Sequence, residues 1–262
     1  MIRIIITAGG TSEYIDSIRK ITNNSTGELG SIIASQLLQY AESNNTDLMI
    51  YYIHTKTSKK PIIKNKNMNM LTYMEITNVM DLKNTTEKLL SENEINIFIH
   101  SMAVSDFTLN YSISINEMAE EIIKLNLSKS SHSKKELLNY FKHISYNQQN
   151  KQNKISSEND ICLIMKKTPK VINMIKKISP HTFLIGFKLL NNSTIDTLVA
   201  AAKKQIIDNE CDLVVANDMI KIKNEMHEAF IIDKNGDIIG NFDTKDHISK
   251  GIISLLWKGG LL

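Results

Sequence analysis

The feature that most constrains this chain is its opening, IRIIITAGGT over residues 2–11, an isoleucine-rich run closed by two glycines. A run that is apolar without alternation suits a strand buried on both faces, as in parallel sheets covered by helices. Its terminal glycines let backbone come close to another chain segment or a ligand. Over residues 28–43, Leu29, Ile33, Leu37 and Tyr40 recur at three-to-four spacing, which predicts the crossover helix of a βα unit.

The same alternation continues. Strands are predicted over residues 47–54, 69–76, 95–104, 161–165, 183–189 and 213–216, and a helix over 79–91. Thr168-Pro169 is expected to open a helix bearing Val171, Ile172, Ile175 and Ile178. Ser193, with Asp196 three residues on, resembles a capping box, and Asp243 is expected to cap a terminal helix. Asn235-Gly236 between residues 229–233 and 237–242 predicts a tight hairpin. The expected fold is α/β: a Rossmann-like doubly wound, mostly parallel sheet with an antiparallel ribbon near one edge. We expect a single domain over 1–262, with a mobile polar flap at about 108–159. That span holds Asn-, Ser- and Lys-rich tracts too polar to bury much apolar surface, interrupted by helices near 115–125 and 136–144.

Charge excludes some functions. Thirty-one Lys and Arg against 28 Asp and Glu leave a net charge of +3, so neither nucleic acid nor a membrane surface is called for. No apolar run approaches the ~20 residues needed to span a bilayer, and no leader is expected at the amino terminus. Cys162 and Cys211 suit neither a disulfide scaffold nor a metal pair, and a cytoplasmic setting is expected.

Doubly wound sheets hold ligands at the carboxyl ends of their strands. There the sequence offers Gly9-Gly10-Thr11, for which a sharp turn is as good an account as phosphate binding. Ser25, Thr26, Gly27 and Gly30 precede or enter the first long helix, whose positive end favours anions; the ordinary alternative is an N-cap serine with packing glycines. Arg19 could grip an oxyanion and Asn23 could stabilise one, or they are a surface charge and a turn former. Asp106 suits a ribose or substrate hydroxyl, or caps a turn. The seven histidines are scattered, and no triad, metal cluster or paired carboxylates emerge, so metal ligands stay unknown.

ITAGGTSEYIDSIRKITNNSTG over residues 6–27 resembles the opening signature of the phosphopantothenate-cysteine ligase family. Further matches follow in the family's order: Ala103-Val104-Ser105-Asp106, Lys154-Ile155-Ser156-Ser157, KKTPKVI at 166–172, IGFKLL at 185–190 and Val215-Ala216-Asn217-Asp218. Only about 108–153 falls outside the resemblance. It is most similar to the free-standing bacterial type, so no flavin is expected.

The resemblance implies a ligation in coenzyme A biosynthesis. A nucleoside triphosphate, CTP favoured over ATP, would activate the carboxylate of 4'-phosphopantothenate with Mg2+, and L-cysteine would then displace the nucleotide. It further implies that Gly9, Ser25, Gly27 and Gly30 line the phosphates, that Phe187 and Asn217 border the nucleotide, and that main chain at Ser101 and Met102 reads the base. Pro169 and Ile172 would touch the nucleotide at a helix start. Asn23 would face the acyl carbonyl, with Ala103 and Asp106 beside phosphopantothenate or ribose. Lys154 would close over the phosphates, with Lys151 as its competitor. Arg19 would reach the substrate of a neighbouring subunit in a homodimer. Fused relatives carry basic residues where this chain has Gln205 and Asn209, for which Lys203 or Lys204 could substitute. The rival classes are an NAD(P)-dependent oxidoreductase, disfavoured because the G-x-G-x-x-G spacing fails, and a noncatalytic nucleotide-binding module.

Overall fold

The computed structural model describes residues 1–63, 69–126, 133–148, 160–223 and 225–262. The chain begins β1 (Ile2–Ala8), β2 (Ser12–Tyr14), β3 (Lys20–Thr22), α1 (Glu28–Asn44), β4 (Leu48–Thr55), β5 (Leu71–Ile76) and α2 (Val79–Glu92). Next come β6 (Ile97–His100), β7 (Phe107–Ser114), α3 (Ile115–Asn126), α4 (Lys134–Gln148), β8 (Ile161–Lys167) and α5 (Ile172–Ile178). It closes with β9 (Phe183–Leu190), α6 (Ile195–Asn209), β10 (Leu213–Lys223), β11 (Met226–Asp233), β12 (Ile238–Thr244) and α7 (Lys245–Lys258).

These elements form two compact units, one of Met1–Thr11, Asn23–Val104 and Lys170–Leu262, the other of Ser12–Thr22 and Ser105–Pro169. The first is built on an eight-stranded sheet in the order β12-β11-β10-β9-β6-β1-β4-β5. From β10 to β5 neighbours run parallel, while β11 and β12 form the antiparallel ribbon predicted from Asn235-Gly236. In that turn Gly236 takes a φ of 85°, and the Asp233 carboxylate accepts from the N–H groups of Asn235 and Asp237, each at 2.9 Å. The strand period of two sends Ile4, Ile6 and Ala8 toward α1 and α7, where they meet Ile33, Leu37, Ile248 and Leu256. Ile5 faces the opposite layer with Leu82, Ile175, Leu198 and Ala202. Truncating any of these fully buried isoleucines to alanine costs about 2–5 kcal/mol. Strand order reverses between β1 and β6, so the crevice at their carboxyl ends is the topological switch point of the sheet.

The second unit has a core of its own. It holds the β2–β3 hairpin, the antiparallel pair β7–β8 and helices α3 and α4. Its small core places Tyr111 and Ile113 of β7 against Met118, Tyr140, Phe141, Cys162 and Ile164. The two helices lie where the polar span predicted them, whereas β7 and the β2–β3 hairpin were not anticipated. The predicted strand at 161–165 forms, but its partner is β7 and not the main sheet.

Three predicted caps are corrected. Thr194, not Ser193, caps α6 by accepting from Thr197 N–H, because the Ser193 hydroxyl donates to Asp218 at 2.6 Å. Thr244, not Asp243, caps α7, because Asp243 pairs with His247 Nδ1 at 2.7 Å. Thr168 caps nothing: its hydroxyl donates to the Ser105 carbonyl at 2.5 Å, and α5 starts only at Ile172 without a side-chain cap. Among the described residues, no helix is long and apolar enough to cross a membrane.

Candidate functional site

Two glycines shape the crevice. Gly9, just after β1, has a φ of 95°, and Gly27, the N-cap of α1, has a φ of 69°, both in the left-handed region that a side chain resists. A Cβ on Gly27 would lie 2.8 Å from the Gly9 nitrogen, so the two turns interlock through bare backbone. Gly30, in ordinary helical backbone, is close-packed instead: a Cβ there would stand 2.7 Å from Ser101 Oγ and 2.9 Å from Ala8 Cβ. The loop after β4 braces the arrangement. Ser58 Oγ donates to the Ala8 carbonyl at 3.0 Å, and Lys59 N–H donates to the Thr26 carbonyl at 2.9 Å. The N-cap Gly27 has no side chain to offer, and Thr26 Oγ1 accepts from Glu28 N–H at 3.4 Å, so the positive end of α1 opens directly after the Gly27 turn.

Asn23 is tied to the seam between β1 and β6. Its N–H donates to the Thr11 carbonyl at 3.2 Å and its Nδ2 to the Ala103 carbonyl at 3.0 Å. Ala103 bridges Gly10 in parallel fashion, and its N–H donates to the Gly9 carbonyl at 2.9 Å. Ser25 N–H in turn donates to the Asn23 carbonyl at 3.0 Å. Six of the expected residues, Gly9, Asn23, Ser25, Gly27, Gly30 and Ala103, are thus one hydrogen-bonded or close-packed set.

Ser101 and Met102 adjoin it but point inward. The Ser101 hydroxyl donates to the Thr7 carbonyl, and Met102 N–H lies 3.3 Å from Thr7 Oγ1. The same threonine hydroxyl shares a hydrogen bond with Nδ1 of His100, whose imidazole burial pushes down to about 4. On the β9–β10 side, Asn217 pairs in register with Leu189, two residues past Phe187. Its Nδ2 lies 3.1 Å from His227 Nε2 of β11. Gln205 Nε2 donates to the Phe187 carbonyl at 3.3 Å. Lys204 pairs with Asp208, and the Lys203 stem lies against the Gly236 turn.

Arg19, Asp106 and Pro169 belong to the second unit, Ile172 to the first. Arg19 stands on the β2–β3 hairpin, where the buried Asp16 carboxylate accepts from the N–H groups of Ile18 and Arg19 at 2.8 and 2.7 Å. The guanidinium lies 3.5 Å from the same carboxylate. Asp106 is exposed, and its carbonyl accepts from Thr168 N–H at 3.0 Å, next to Pro169. Lys151 and Lys154 lie outside the described residues.

Glu28, Lys59, Lys245 and His227 were not anticipated. Glu28, the first residue of α1, binds both Lys59 and Lys245 through its carboxylate. These two hydrogen-bonded ammonium groups hold it down to about 2. The one available signal was position: Lys59 follows the end of a parallel strand, where ligand contacts concentrate.

A topological switch point bordered by interlocked glycine turns and the start of α1 defines a doubly wound α/β domain. Residues 1–137 and 143–258 match the family model described as the DNA/pantothenate metabolism flavoprotein C-terminal domain, and the chain belongs to that family. It is 28% identical over 233 residues to the coenzyme A biosynthesis bifunctional protein CoaBC of Thermococcus kodakarensis, covering 89% of this chain and 45% of that one. The chain thus spans about half the length of the curated relatives it matches. The DNA/pantothenate metabolism flavoprotein of Streptococcus pneumoniae shares 36% identity and superposes with a TM-score of 0.80, covering 98% of this chain and 99% of that one. A Cab2 variant in complex with phosphopantothenate-cysteine shares 14% identity and the same fold, with a TM-score of 0.62, covering 98% of this chain and 87% of that one.

Proposed function

We propose that this chain joins 4'-phosphopantothenate to L-cysteine at the expense of a nucleoside triphosphate, CTP in preference to ATP. The observation that carries the reading is Asn23, an amide fixed by its own backbone and by Ala103 beside the Gly9–Gly27 cradle. The family relatives are named for coenzyme A biosynthesis, and the Cab2 structure holds the product expected of such a ligation.

In this reading the glycine cradle and the α1 amino end receive the triphosphate through backbone donors, which suits an anion independent of sequence. The substrate carboxylate attacks the α-phosphorus, giving an acyl-nucleotidylate and releasing pyrophosphate. The cysteine amine then attacks the acyl carbon, the C–O bond to the nucleotide breaks, and the amine proton is lost as the amide forms. Asn23 donates to the oxyanion that develops at that carbon, from a position set before reaction. Asn217 and Phe187 border the nucleotide, while Ala103 and Asp106 border the acyl substrate or ribose. Lys154 approaches the phosphates from the polar flap, and Arg19 completes the site of a second copy in a homodimer. Among the described residues no three His, Cys, Asp or Glu side chains converge as a metal site. Magnesium needs no such cluster, since it would be held chiefly by the triphosphate oxygens, and no step above is routed through it.

The test is to incubate the protein with L-cysteine, 4'-phosphopantothenate, magnesium and CTP or ATP, following pyrophosphate and amide product together. Equal amounts of both, formed faster with CTP, are expected. Absence of both products with either nucleotide would defeat the proposal.

A further inference from the structure

Beside the glycine cradle the structure has an ionic cluster with unequal charges. Glu28 opens α1 immediately after Gly27, and its single carboxylate is shared by Lys59 and Lys245. Each ammonium has three N–H donors, so the shared carboxylate takes only part of their capacity and leaves donors open to water or a ligand. Lys245 is the first residue of α7, where a cation is opposed by the positive helix end. Lys59 is tied by its backbone to Thr26, within the turn that leads into the cradle. Two cations thus share the Glu28 carboxylate, while Asp243 and Asp246 at the α7 start are engaged by His247 and Lys250, so one positive charge is left over beside Glu28 for a polyanion to neutralise.

A second, independent observation points the same way. His227 is 8% exposed, its Nε2 is bonded to Asn217, and its Nδ1 is buried without a hydrogen-bond partner among the described residues. Its neighbour Met226 pairs with Thr244 across β11–β12, which sets His227 beside the strand end that leads into Lys245. With Nε2 accepting from the Asn217 amide, Nδ1 carries the proton and is a donor lacking an acceptor. A buried donor left unmade is costly, and a ligand oxygen would satisfy it. Meanwhile Lys203 and Lys204 are engaged elsewhere on α6, against the Gly236 turn and Asp208.

We propose that Lys59 and Lys245 are the clamp for the terminal phosphates of the triphosphate, with Glu28 as the internal counter-charge that a polyphosphate displaces and His227 as a donor in the same wall. The proposal rests on the nucleotide reading above but names residues it did not assign. When ligand binds, the two ammonium groups exchange the carboxylate for phosphate oxygens, and when pyrophosphate leaves they return to Glu28.

Calorimetric titration of the full chain with CTP, CMP and inorganic tripolyphosphate tests this, alongside the ligation assay on wild type. Lys59→Met and Lys245→Met are each expected to weaken CTP and tripolyphosphate about tenfold or more, as for a lost charge-assisted hydrogen bond, and to leave CMP nearly unchanged. Glu28→Gln is expected to tighten tripolyphosphate several-fold, which a merely structural ion pair would not do. The Lys59 side chain is 56% exposed, so Lys59→Met decides the matter should Lys245→Met fail to fold. Unchanged CTP and tripolyphosphate affinities in the lysine variants, with wild-type ligation intact, overturn the clamp and leave the ligase reading standing. Parallel losses for CMP and CTP also overturn it, because the whole cradle would then have been damaged. Lysine-dependent tripolyphosphate binding by a wild type that makes no amide supports the clamp and defeats the ligase reading alone.

Discussion

Asn23 and Arg19 stand four residues apart in sequence, yet they belong to different compact units and are held by different physics. Asn23 is bonded to Thr11 and Ala103, at the ends of strands buried on both faces. Arg19 stands on a hairpin of two three-residue strands, and every residue of β3 is exposed. The first position is fixed by the main core. The second is fixed by local bonds, the Asp16 carboxylate receiving two backbone N–H groups and the Arg19 carbonyl accepting from Ile15 N–H at 2.8 Å. It follows that damage to the cradle should appear first as lost stability, and damage to the hairpin first as lost function.

The largest expected effect is at Gly27, and Gly260 is an internal control. Both have φ near 70°, but nothing lies within 4 Å of a Cβ built on Gly260, whereas Gly27 meets the Gly9 backbone. Gly260→Ala should cost about 1 kcal/mol from backbone strain alone, and Gly27→Ala about 3 kcal/mol or more with nucleotide binding lost. Urea unfolding of the pair isolates the close approach. Equal costs would mean that the two turns are not interlocked.

Acid should attack the same unit next. Burial lowers His100 from 6.5 to about 4, so the unfolded chain takes up its proton first. The stability from keeping this ring neutral is complete above about pH 6.5 and is lost as pH falls toward 4, on the order of 2–3 kcal/mol. His227 follows the same sign, lowered to about 4 by burial and by Lys245. Glu28, depressed to about 2, adds a loss only between about pH 4.5 and 2. Unfolding free energies at pH 7.5 and 4.5 should therefore differ, and His100→Gln should flatten that difference. An unchanged slope in the variant would remove His100 from the account.

Much of the first unit was legible because its strands are nearly unbroken apolar runs and its hairpin carries Asn-Gly, both local signals. Caps were misread where another partner competed for the side chain: Asp218 takes Ser193 from 25 positions away, Ser105 takes Thr168 from 63, and His247 takes Asp243 from within the same helix turn. Strand β7 was missed because its pattern is half polar and its partner β8 lies beyond two helices and a polar tract. Glycines and Asn23 stood out in the candidate site as a contiguous motif. Glu28, Lys59, Lys245 and His227 did not, because four separate elements bring them together and no spacing along the chain records an ion pair.

Asn23→Asp sharpens the comparison within the site. It replaces a donor to the Ala103 carbonyl by an acceptor and should cost about 1–2 kcal/mol of stability. Its larger effect should be chemical: amide formation falls more than pyrophosphate release, because a carboxylate repels the developing oxyanion. Equal losses of both products would deny the amide a special part in the second step.

Arg19→Ala should have the smallest effect on stability and is the sharpest test of the contrast. Its guanidinium is 39% exposed and lies 3.5 Å from Asp16, an ion pair of the kind that contributes below about 1 kcal/mol. Asp16 retains the two backbone bonds that shape the hairpin, so the turn should persist when the side chain is removed. If Arg19 serves the substrate of a second copy, turnover should drop at unchanged melting temperature. Mixing Arg19→Ala with Asn23→Asp chains should then restore part of the activity, since one of the two sites in a mixed dimer would hold both intact residues. A variant that loses stability and turnover in proportion would place Arg19 with the fold, and failure of the mixture to recover activity would place it in its own chain's site.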